Sequence, residues 1–147
     1  QDLGRHQISG CSDRFRRFGA NVRSSIATST PQTSSFTDTT LALAALPPKT
    51  VEKLSELSAV HRLEGQDVRL PLVRRHGLTG KPCLFVNPLF TKWIDDMEPR
   101  HSKEMVEMLW RHICDPRFSY VHRWQRGDIL VWDGCCVQAC DEAVTFT

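Results

Sequence analysis

The chain has 147 residues, 40% of them hydrophobic and 24% charged, the balance of an ordinary globular protein of about one domain. Its formal net charge of +2 is too small to imply a nucleic-acid partner or an anionic membrane surface. No run approaches the roughly 18 apolar residues that span a bilayer, and the polar start at Gln1-Asp2 carries no secretory core, so a cytoplasmic protein is expected.

Residues 1–35 read as an irregular or disordered N-terminal segment. Arg14, Arg16, Arg17 and Arg23 are interspersed with small and polar residues, and no period of 2 or 3.6 is sustained. A basic arm for nucleic acid would have only Phe15 and Phe18 for stacking. From Phe36 to Thr147 the sequence becomes globular. Pro47-Pro48 stops one element, and Thr50 is expected to cap a helix with Val51, Leu54, Leu57 and Val60 on its apolar face. Residues 70–73 and 83–86 suggest short strands flanking Gly77-Leu78-Thr79-Gly80, a hairpin connection. Ser102 is expected to cap a second helix, with Met105, Met108, Leu109 and Ile113 on one face. Residues 118–124 and 129–132 are the clearest strands, joined through Arg126-Gly127-Asp128, and Trp124, Ile129 and Trp132 have the character of core residues.

The six cysteines are Cys11, Cys83, Cys114, Cys135, Cys136 and Cys140. Their spacings form no disulfide framework. Three fall between 135 and 140, with His122 upstream, but the second ligand pair of a zinc site is absent. Buried or free thiols in a reducing compartment are therefore expected.

The run Leu84-Phe85-Val86-Asn87-Pro88-Leu89-Phe90-Thr91, then a helical stretch, then Trp124-Gln125-Arg126-Gly127-Asp128-Ile129-Leu130-Val131-Trp132-Asp133, resembles the taurine dioxygenase (TauD/TfdA) family. The likeness covers residues 36–137. It implies a mainly β chain with flanking helices (α+β): a double-stranded β-helix, or jelly roll, here incomplete. It implies iron(II) and 2-oxoglutarate as cofactors and a small organic molecule as the substrate to be hydroxylated. No nucleic-acid or membrane partner is implied. An incomplete jelly roll leaves sheet edges bare, so self-association through them is expected.

The same resemblance locates the residues that should do the chemistry. Such an iron site uses two His and one carboxylate on one face of the metal. Trp132-Asp133 match the family's Trp-Asp-Asn-Arg, yet Gly134 and Cys135 follow, and the position seven after Trp132, where a ligating His belongs, is Ala139. Cys140 is adjacent, but one step along a strand turns a side chain to the opposite face. No His-x-Asp occurs. Asp2, as the carboxylate of a motif beginning before residue 1, and His6, followed two residues on by Ile8, are the partial candidates for metal ligands. Ser34 stands where a Thr hydroxyl would contact 2-oxoglutarate, and Phe90 stands on a position lining the substrate pocket. His61, His76, His101, His112 and His122 match no ligand position and read as surface or structural imidazoles.

An enzyme by descent that is inactive as written is therefore expected, the alternative being a non-catalytic remnant or interaction module on the same scaffold. The departures cluster at the two ends. A shifted reading frame would produce that distribution, and read one base later the codons for residues 139–142 can encode His-Ala-Thr-Arg. Transcript reads uninterrupted through Thr147 would reject the shift.

Overall fold

A computed structural model describes residues 20–24, 33–63 and 65–140. The first half holds β1 (Ala20–Ser24), β2 (Thr33–Asp38), α1 (Thr39–Ala44), α2 (Pro48–Glu56), β3 (Ser58–Leu63), β4 (Gln66–Pro71) and β5 (Val73–Arg75). The second holds β6 (Pro82–Leu84), β7 (Thr91–Ile94), α3 (Pro99–Ile113), β8 (Ser119–Arg123), β9 (Ile129–Asp133) and β10 (Val137–Ala139).

Every pairing among the described residues is antiparallel. β2 lies between β10 and β8, β3 lies between β4 and β7, and the pairs β1–β9 and β5–β6 complete the strands. The fold is thus mainly β with helices on the outside, as the sequence suggests. Two described parts of the N-terminal segment differ from expectation: residues 20–24 form β1, and β2 begins at Thr33, so a boundary at residue 36 cuts a strand. β1 gains its order from the ladder with β9, a long-range pairing that leaves no local periodicity.

The helices also depart from the sequence reading at their starts. Asp38 caps the short α1, its Oδ1 accepting from the backbone N–H of Thr40 and Leu41. α2 and α3 each begin with Pro at the first turn, whose fixed φ suits that position, so neither Thr50 nor Ser102 is a cap. Ser102 instead lies inside α3 and is buried, its Oγ accepting from Ile94 N–H at 2.7 Å. Leu57 is extended (ψ 144°), which ends α2 and releases Val60 into β3.

The core sits between α1, α3 and the strands: Leu43, Leu72, Leu84, Val86, Ile94, Leu109, Trp110 and Ile113 are all buried. The buried face of α3 runs through Val106, Leu109, Trp110 and Ile113, while Met108 points to solvent. Cys114 at the end of α3 is joined to Cys140 as a disulfide. This corrects the expectation of thiols only: the tertiary fold, not the spacing, brings the two Cα atoms to 6.0 Å. Among the described residues no helix is long and apolar enough to cross a membrane.

Candidate functional site

Antiparallel partners place their side chains on the same side of a sheet, and successive residues alternate. In β2 this puts Ser34 and Phe36 on one face. Ala139 lies opposite Phe36, and His122 lies opposite Ser34, so all four share that face. Trp124 Nε1 donates to Ser34 Oγ at 3.0 Å, and the ring of Trp132 rests on Phe36 with centroids 4.8 Å apart. The face therefore looks toward β9. Of the three residues with core character, Trp124 and Trp132 are half-buried and in contact with it, but Ile129 is exposed. Ile129 opens β9, which among the described residues is paired on one side only, with β1.

Cys140, one step beyond Ala139, faces the other way, with its sulfur bonded to Cys114 and 3.4 Å from Thr37 Oγ1. It does not replace the missing imidazole. His122 pairs through Nε2 with Asp128 Oδ2 at 3.0 Å. Asp2 and His6 lie outside the described residues. Among the described residues, the donor set on this face (one paired imidazole, one hydroxyl already accepting from an indole, one methyl) does not fit a site of two His and one carboxylate for iron.

Phe90 is half-buried beside a second cluster. Its ring lies 5.9 Å from both His61 and Phe85, and the Arg74 guanidinium sits 4.8 Å above Phe85. His61, which reads from the sequence as a surface or structural imidazole, is fully buried. Burial first, and then the nearby Arg74 charge, lower its pKa to about 4, so it is neutral at pH 7. Its Nδ1 meets Thr91 Oγ1 at 3.1 Å, Thr91 Oγ1 accepts from Asn87 N–H, and Asn87 Nδ2 donates to Gln138 Oε1 at 3.2 Å. At the two ends of this chain, His61 Nε2 and Gln138 Nε2 are buried without a hydrogen-bond partner. Such atoms are costly to leave unmatched and call for an explanation.

A third cluster joins the β5–β6 connection to the end of β9. His76 Nε2 lies 2.6 Å from Asp133 Oδ2, and Cys135 N–H donates to Asp133 Oδ1 at 2.8 Å. Asp133 thus fixes the loop after its strand. Burial pushes its pKa up, but the Cys135 N–H and His76 outweigh that and leave it below the ordinary value. Cys136 is close by, and ligand atoms of His76, Asp133 and Cys136 lie within 4.8 Å of one another. Burial pushes the Cys136 and Cys83 thiols up to about 11. Among the described residues this is the one group of three His, Cys, Asp or Glu near enough to share an ion. The sequence offers no local signal for it, because His76 and Asp133 are 57 positions apart.

Antiparallel sheets with helices outside, and the Trp132-Asp133 motif on β9 against Phe36 of β2, define an oxygenase-type β scaffold. The chain belongs to the taurine catabolism dioxygenase TauD, TfdA family, whose model matches residues 32–140. Pentalenolactone F synthase from Streptomyces arenae is 36% identical over 70 residues, covering 48% of this chain and 23% of its own length. The alpha-ketoglutarate-dependent 2,4-dichlorophenoxyacetate dioxygenase of Burkholderia sp. (strain RASC) is 30% identical over 83 residues, 56% of this chain and 28% of its own length. The crystal structure of a taurine dioxygenase from Burkholderia xenovorans matches with a TM-score of 0.76 and 29% identity, over 84% of this chain and 44% of that one. The fold is that family's jelly roll in part, and the chain spans less than half the length of these relatives.

Proposed function

We propose that this chain is the scaffold of an iron(II)- and 2-oxoglutarate-dependent dioxygenase for a small organic substrate, and that as it stands it does not complete the iron site. The observation that carries this is Ala139 opposite Phe36, on the face shared with Ser34. The Phe85–Phe90 aromatic pair and the unmatched His61 Nε2 and Gln138 Nε2 support a small molecule with both an apolar body and a hydrogen-bonding group. In this reading Ser34 is the remaining contact for 2-oxoglutarate, Phe90 borders the substrate, and Asp2 or His6 supplies at most one metal ligand. A cytoplasmic location belongs to the same reading, and there the Cys114–Cys140 pair is subject to reduction. Anaerobic titration with iron(II) and 2-oxoglutarate tests the proposal. No 2-oxoglutarate-dependent charge-transfer band is expected, and its appearance would overturn the proposal.

A non-catalytic interaction module on this scaffold is the second reading, favoured by the exposed Tyr120 and Val121 of β8 and Ile129 and Val131 of β9. Each of these strands has one paired neighbour among the described residues. Bare apolar edges favour association with a second copy. Light scattering is expected to show species larger than one chain, and a clean monomer across micromolar concentrations would count against it.

A further inference from the structure

We propose that His76, Asp133 and Cys136 form a site for a divalent transition metal of zinc type, separate from the family's iron position. Their ligand atoms, within 4.8 Å of one another, come from two segments: the β5–β6 connection and the turn after β9, where Cys136 N–H donates to Asp133 O at 3.3 Å. His76 is set in the hairpin connection: its N–H donates to Lys81 O at 2.9 Å and its carbonyl accepts from Gly80 N–H at 2.8 Å. Asp133 ends β9 and has Oδ1 occupied by Cys135 N–H, which leaves Oδ2 facing His76. The Cys136 carbonyl accepts from both the N–H and the hydroxyl of Thr39, at 2.8 and 2.9 Å, tying that residue to the start of α1. Ligands supported this way need little ordering when an ion arrives.

The donor types select the metal. One sulfur, one imidazole nitrogen and one carboxylate oxygen suit zinc, whereas calcium and magnesium prefer oxygen throughout. Zinc bonds of about 2.3 Å to sulfur and about 2.0 Å to nitrogen put those two atoms roughly 3.5 Å apart in a tetrahedron. The present separations reach that by about an ångström of side-chain movement. Three protein ligands leave the fourth position to water.

A Cys–His–Asp nucleophile does not explain the cluster. There the imidazole must take the thiol proton at one nitrogen while the carboxylate holds the other. Here the second nitrogen, Nδ1, is 2.9 Å from Thr79 Oγ1 and accepts from Thr79 N–H. Thr79, not a carboxylate, holds Nδ1, while Asp133 Oδ2 takes Nε2 at 2.6 Å. On metal binding the thiol proton goes to solvent. The imidazole proton moves from Nε2 to Nδ1, which gives up the hydrogen bond it accepts from Thr79 N–H and donates to Thr79 Oγ1 instead, the outer contact that orients a ligating His.

The test uses the full chain and cobalt(II) as probe, with zinc(II) as competitor. One equivalent of cobalt(II) is expected to give thiolate-to-metal charge transfer and the visible bands of a tetrahedral site, both removed by zinc(II). Cys136→Ser should abolish the charge transfer, Cys135→Ser should retain it, and Thr79→Ala should weaken binding by about 10–100-fold. Peptide mapping after iodoacetamide gives a readout in the unaltered chain: zinc(II) should shield Cys136 and leave Cys135 reactive. Absence of the charge-transfer band, its persistence in Cys136→Ser, or equal alkylation of Cys136 with and without zinc(II) would each overturn the proposal. None of these readouts involves 2-oxoglutarate, so the outcome is independent of the oxygenase reading.

Discussion

His76 Nε2 and Asp133 Oδ2, 57 residues apart in sequence, meet at 2.6 Å and bind the β5–β6 hairpin to the end of β9. The Asp133 side chain also anchors Cys135, so two contacts end on one carboxylate. Asp133→Ala should cost about 1.5–3 kcal/mol, the range for hydrogen bonds to a charged group. The lower part of that range applies, since the carboxylate is 35% exposed and solvent screens it. Urea unfolding of the two proteins at pH 7 measures the difference.

His61 gives the chain an acid-sensitive core. Its pKa is about 4 in the folded state, against an ordinary value of 6.5. Between those values the unfolded chain holds a proton that the folded chain does not, so stability rises with pH. The contribution is complete above about pH 6.5 and lost progressively down to about pH 4, a total of about 3 kcal/mol. His61→Gln should flatten that part of the profile. Asp133, held below its ordinary value, adds a loss on the same side at lower pH, as it protonates. Unfolding curves at half-unit steps from pH 7 to 2 check both.

The disulfide between Cys114 and Cys140 closes a segment with a sequence separation of 26. In the chain-entropy account a loop of that span is worth about 3.5 kcal/mol. Cys114→Ser, or reduction of the unaltered protein, should lower the urea midpoint by a corresponding amount, with no change in Cys114→Ser on adding reductant.

Gly127 carries φ +92° in the turn between β8 and β9, with nothing within 4 Å of where a Cβ would stand. The cost of Gly127→Ala is therefore backbone alone, about 1–2 kcal/mol. A lower melting temperature with unchanged far-ultraviolet circular dichroism would match this.

The parts of the fold legible in the sequence are those with strong local patterns. The strands near residues 83–86 and 129–132 and the long helix α3 are found, and the turn at Gly127 is where Arg126-Gly127-Asp128 puts it. α1 escapes because its six residues are too few to show a period. β3 escapes because Val60 continues the spacing of Val51, Leu54 and Leu57 past the point where the chain turns extended. Family resemblance singles out Ser34 and Ala139 by motif position, and the strand register then puts them on one face. The burial of His61 and the meeting of His76, Asp133 and Cys136 have no such signal, since contacts between distant segments decide both.

β2 is flanked by strands translated long after it: Thr37 bonds to Ser119 and lies against Cys140, 82 and 103 positions later. At typical synthesis rates of about 5–20 residues per second, β2 waits on the order of 5–20 s for its second neighbour. Closing such long loops is also slow in the free chain. The nascent polypeptide thus carries an open template for foreign strands throughout that interval, and its yield in a cell depends on what shields β2 at the ribosome.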